Sequence, residues 1–193
     1  SSDDAECIAK GIFEAVVAII SNKQSLEIMK KWHETWAQFI LLLLQKSSTI
    51  TNSNSTMFLT QACGFIARYL FAENSFGPVS EHNTAKIFSE SISALIRLQE
   101  MVHNGSKMGI YTLISSMFAR GHPSEQIKSI YNGYNHEIAA ALISDISIEP
   151  PAARAAVFAC AEALISFAND DALDGFIETS ITQLQSDWAT YDE

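Results

Sequence analysis

Apolar residues recur every three or four positions along almost the whole chain, and no stretch shows the strict alternation of a half-buried strand. This pattern predicts an all-α protein of about eight helices. The first covers about Asp3–Ile20, with Asp3 and Glu6 spaced as a capping box, and the second about Gln24–Gln45. The tract "SSTITNSNST", residues 47–56, reads as an exposed polar loop because it is dense in helix breakers and cap formers. A third helix follows over 57–73. Ser80 is placed to cap a fourth that runs to about His103, and a fifth covers 107–120. Pro123 sits where the first turn of a sixth helix tolerates it, and that helix reaches Ser144. Pro151 opens a seventh that ends near Ala168. The eighth spans about 172–191, with Asn169, Asp170 and Asp171 at its positive end.

Short connections make these helices antiparallel hairpins within a single all-helical domain, residues 1–193. Each hairpin is of a length similar to HEAT-type repeats, so a short array of stacked hairpins is the alternative to a compact bundle. The second helix carries the sharpest pattern. At 100° per residue, Ile28, Trp32, Trp36, Phe39 and Leu43 form one stripe, while Glu27, Lys30, Lys31 and Glu34 gather opposite. Lysines and tryptophans therefore face apart, which argues against an aromatic-basic platform for nucleotide bases. Leu41 and Leu42 fall on the formerly polar side, so the end of this helix is apolar all round. It is expected at the centre of the fold beside the alanine-rich seventh helix, or in a homo-oligomer contact through Leu41 and Leu42.

The apolar run Phe39–Leu44 is far short of the ~20 residues that cross a bilayer, so no membrane span is expected. Twelve basic residues against 22 acidic ones give a net charge of −10, which disfavours nucleic acid as a partner. Cys7, Cys63 and Cys160 are widely spaced in apolar helical contexts and suggest neither a disulfide framework nor a metal site. A reducing, cytoplasmic compartment is the default expectation. A start at Ser1 leaves a periplasmic or secreted mature form open.

Candidate chemistry is sparse. Asp170, Asp171 and Asp174 have a spacing similar to the DDxxD motif of all-helical isoprenoid synthases, which would imply a Mg²⁺-dependent enzyme. The likeness covers five residues, and helix capping accounts for the same carboxylates. Glu100 and His103 form half of a di-iron motif whose second half is missing. His33-Glu34 lacks the second histidine of a zinc helix, and neighbouring helical residues diverge. No nucleophile elbow or glycine-rich phosphate loop occurs, so the chain reads more as a binding protein than as an enzyme, and no cofactor is called for.

Two binding surfaces are expected. One is a polar stripe on the sixth helix, with Lys128, Asn132, Asn135 and His136 meeting a protein partner and Gly133 permitting close approach. The other is an apolar ligand pocket among Trp32, Trp36, Phe39, Tyr131 and Tyr134. The leading functional expectation is a non-enzymatic interaction module: an adaptor, inhibitor, immunity-type or effector protein. The alternatives are a hydrophobic-ligand-binding bundle and the Mg²⁺ enzyme.

Overall fold

A computed structural model describes residues 2–72, 78–100, 104–119, 124–168 and 171–189. Among these residues the protein is all-α. The helices are α1 (Ser2–Ser21), α2 (Lys23–Lys31), α3 (His33–Thr49), α4 (Ser53–Ala67), α5 (Glu81–Gln99), α6 (Asn104–Met117), α7 (Glu125–Ser144), α8 (Pro151–Ala168) and α9 (Asp174–Ala189). A π-helical turn, Arg68–Ala72, follows α4, and a 3₁₀ turn, Asp171–Leu173, precedes α9.

The helix starts follow local chemistry. Asn22 accepts from the backbone N–H groups of Gln24 (2.9 Å) and Ser25 (3.1 Å), and Asn52 accepts from Ser55 (2.9 Å). Ser80 caps α5 as its sequence position predicts, its hydroxyl accepting from Asn83 N–H at 3.4 Å. Ser124 does the same for α7.

Two expectations are corrected. The helix expected over 24–45 is broken at Trp32, whose backbone (φ −115°, ψ 30°) ends α2 and starts α3. A single helical wheel therefore does not apply across it. Met29 is buried, while Ile28 and Trp32 face solvent, Trp32 with 59% of its surface exposed. The polar tract 47–56 is mostly helix, not a loop: α3 runs through Thr49 and α4 begins at Ser53, and Ser47, Ser55 and Thr56 are buried. Hydroxyls that bond back to their own helix make this tolerable. Ser47 Oγ donates to Leu44 O (2.7 Å), Ser48 Oγ to Gln45 O (2.7 Å) and Thr49 Oγ1 to Lys46 O (2.9 Å).

The helices form two rows. One row is α1, α4, α6 and α8, each packed on the next; the other is α3, α5, α7 and α9. Antiparallel pairs α3–α4, α5–α6 and α7–α8 bridge the rows, so the bundle is built from stacked hairpins. The centre is α4 and α6, not the expected second and seventh helices. There the backbones nearly touch. A Cβ added to Gly64 would lie 2.7 Å from Gly109 O, and one on Gly109 only 2.4 Å from the carbonyl of Thr60. The alanine-rich α8 packs on α6. Farther along, an aromatic chain of Phe88, Phe118, Phe167 and Tyr131, with successive centroids 5.1–5.5 Å apart, ties α5 to α7 and α8.

Candidate functional site

At the first end of the two rows, α1 and α3 both lie on α4 and leave an apolar groove between them. The chain directions oppose: Ala5 and Ile8 face Leu42 and Lys46, while Ala15 and Ile19 face Thr35 and Trp36. On the α1 wall, Ala5, Ile8, Ile12, Ala15 and Ile19 alternate in steps of three and four, the spacing of a seam that receives another helix. On the α3 wall, Trp36 and Phe39 stand edge to face with centroids 5.8 Å apart, and Leu42 follows. Leu59 of α4 lies at the base.

The groove consists of two adjoining hollows of about 300 Å³ and about 360 Å³, joined at Ile12 and Phe39. Its length from Ala5 to Ile19 is about 20 Å at 1.5 Å rise per residue. Its walls are almost wholly apolar, although Thr35 and Lys46 are among the residues that line it. Ile8 is 64% exposed and Leu42 is 47% exposed, although both are large and apolar. Leu41, its neighbour, is covered by this chain, so of the pair expected in an oligomer contact only Leu42 reaches the surface.

The expected ligand pocket does not assemble. Trp36 and Phe39 line the groove, but Trp32 projects into solvent, Tyr131 is buried against Phe167, and Tyr134 is exposed on α7. α7 belongs to the middle of its row and packs on α5, α8 and α9.

The expected partner stripe is a solvated face. Asn132 and His136 are exposed, Asn135 is half-buried, and Lys128 is ion-paired with Glu125 at 2.6 Å. Gly133 has nothing within 4 Å of the position a Cβ would take, so no other part of this chain packs on it.

Asp171 and Asp174 are exposed and fall in different elements, a 3₁₀ turn and α9, while Asp170 lies outside the described residues, as does His103. No group of three metal-ligating side chains comes together among the described residues. Glu34 serves α5 instead of forming a pair with His33. It accepts from Asn83 Nδ2 (2.6 Å), from Ser80 Oγ (3.3 Å) and from Ser80 N–H. Partial burial raises its carboxyl pKa, but the hydrogen bonds from Asn83 and Ser80 outweigh this and hold it below the usual value.

A buried polar cluster escapes any reading of the sequence. Lys107 Nζ lies 2.6 Å from Asp145 Oδ1 and 3.3 Å from Gln99 Oε1. Gln99 Nε2 and Tyr111 OH donate to Asp145 Oδ2 at 3.0 and 2.8 Å. Burial first, then the Asp145 charge and its hydrogen bond, push the Tyr111 phenol upward. These groups join α5, α6 and the end of α7. A recess of about 130 Å³ beside Gln61 and Arg68 is smaller than ligand sites of roughly 300–1,000 Å³.

No helix among the described residues is long and apolar enough to cross a membrane. No known protein family matches the chain, and no characterised protein or solved structure matches it.

Proposed function

We propose that this protein is a non-enzymatic interaction module that receives an amphipathic helix of a protein partner in the groove between α1 and α3. The observation that carries this reading is the groove itself: two apolar walls with three-four spacing, standing apart on a shared floor. Helix-in-groove recognition works through apolar anchors at positions i, i+3 or i+4, and i+7, which these walls fit. Four turns of length suit a helix better than a compact ligand, and small-molecule sites bring several polar groups to bear where the walls of this groove are almost wholly apolar. The polar face of α7, with Lys128, Asn132, Asn135 and His136, supports the reading less, because its polar groups are already solvated or paired.

A designed amphipathic peptide with leucines at three-four spacing tests this, with Trp36 emission as the readout in a Trp32→Phe, Trp188→Phe background. Saturable binding is expected, with loss in Leu42→Glu and Ile8→Glu, both at exposed positions that leave the core intact. A peptide of the same composition with scrambled anchors serves as control. Equal binding by the variants, or no saturation by the ordered peptide, overturns the proposal.

The two hollows, at about 300 and 360 Å³, favour an apolar small ligand as the second reading. A fluorescent fatty-acid analogue displaced by decanoate, in a protein that ignores the peptide, would select it.

A further inference from the structure

The opposite end of the helical rows carries a surface of the kind that the groove accepts. α9 ends the row of α3, α5 and α7; it and the 3₁₀ turn before it pack on α7, with Leu173 of the turn and Phe176 of α9 buried. From Ile177 through Ser186 no residue is buried. Along this stretch Ile177, Ile181 and Leu184 are exposed, Ile181 at 50% and Leu184 at 63%. Their steps of four and three place them within about 60° of one another around the helix. Stacked helical hairpins normally end in elements with a polar outer face, because each end would otherwise present the apolar surface meant for a neighbour. Here each end also carries apolar surface: α1 and α3 leave a groove, and α9 leaves a stripe of Ile177, Ile181 and Leu184 among polar residues.

Charge points to the same pairing. α9 contains Asp174, Glu178 and Asp187 and no basic residue, whereas Lys46 is the one charged residue lining the groove, at the end marked by Ile8 and Leu42. Glu178 directly follows the first residue of the stripe. Within one chain the two surfaces belong to opposite ends, since α1 packs on α4 and α2 while α9 packs on α7.

We propose that the occupant of the groove is α9 of a second copy of this chain, so that copies associate head to tail with Ile177, Ile181 and Leu184 seated against Ile8 and Leu42 and with Glu178 beside Lys46. This rests on the groove reading above and names its partner. The contact joins two different surfaces, so the assembly either closes into a ring or grows as an open chain; it does not stop at a self-complementary dimer.

Sedimentation velocity of the full chain across the micromolar range tests this, with Leu42→Glu as a groove variant and Leu184→Glu as a stripe variant. Circular dichroism verifies that both keep their helix content. The wild type is expected to form species larger than a dimer as concentration rises. Each variant alone should lose at least tenfold in association. An equimolar mixture of the two should form a dimer and no larger species, because one intact groove and one intact stripe remain. A monomeric wild type, variants that assemble as the wild type does, or a mixture that stays monomeric each overturns the inference. If the wild type is monomeric while the designed peptide still binds the groove, the groove reading stands and only the homotypic occupant is lost; failure of both removes both.

Discussion

Lys107 Nζ and Asp145 Oδ1 meet at 2.6 Å inside the fold, with both side chains more than nine-tenths covered. The pair joins positions far apart in sequence and is completed by Gln99 and Tyr111. Removing one partner strands the other charge in a low-dielectric interior, a loss of about 3–5 kcal/mol. Lys107→Met is therefore expected to lower the urea midpoint severely. Asp145→Asn together with Lys107→Met should cost much less than the sum of the two single changes, since the amide keeps its neighbours' hydrogen bonds without a charge. Additivity within about 0.5 kcal/mol in the double-mutant cycle would refute the coupling.

Gly109 has no room for a methyl group, because the nearest atoms are backbone of Thr60 and Gln61 on the facing helix. Gly109→Ala is expected to cost at least about 1–3 kcal/mol by forcing α4 and α6 apart. Gly133→Ala is the matched control, since its Cβ meets nothing within 4 Å. There the change should stabilise by up to about 1 kcal/mol through helix propensity. Similar melting temperatures for the two variants would contradict the close approach.

The Glu34 carboxyl titrates below its usual 4.5 in the folded protein. Its contribution to stability is therefore complete above that value and fades as pH falls through the lower, folded value. Glu34→Gln should lose under about 1 kcal/mol at neutral pH, given the partly solvated site, and the difference from wild type should shrink below pH 4.5. Unfolding curves that stay parallel from neutral pH into that acidic range would show that Glu34 does not act through its charge.

Cys63 and Cys160 are buried and their thiols are pushed up by burial, while Cys7 is exposed on α1. Thiolate is the reactive form, so a thiol reagent should modify one cysteine in the native protein and three after denaturation. Fast modification of Cys63 would mean that α4 does not hold the central place described here.

The sequence pattern revealed the helical class and the Ser80 cap, because periodicity and capping are local properties. It hid the centre of the fold. α4 and α6 are rich in serine, threonine and glycine, and their buried hydroxyls are satisfied within their own helices, as Thr60 Oγ1 is by Thr56 O at 3.0 Å. Their apolar residues are spread around the helix instead of forming one stripe, so the pattern does not mark which helices lie deepest. The break at Trp32 carries no glycine or proline to announce it, and treating 24–45 as one helix turned Trp32 inward. The groove was legible only in part. Ala5, Ile8 and Ile12 have the same spacing whether they face a core or an open channel, and that difference depends on where α3 stands relative to α1. The Lys107–Asp145 pair left no local signal, since neither residue carries a neighbour that marks it for burial.

The kink at Trp32 gives the protein an internal reporter. It separates two indoles only four positions apart into opposite environments, Trp32 in water and Trp36 on the wall of the groove. An iodide quencher should extinguish the first at once and reach the second only while the channel is open. With the third indole removed as Trp188→Phe, the share of emission that becomes protected measures how much of the groove is filled, without a label attached to either molecule.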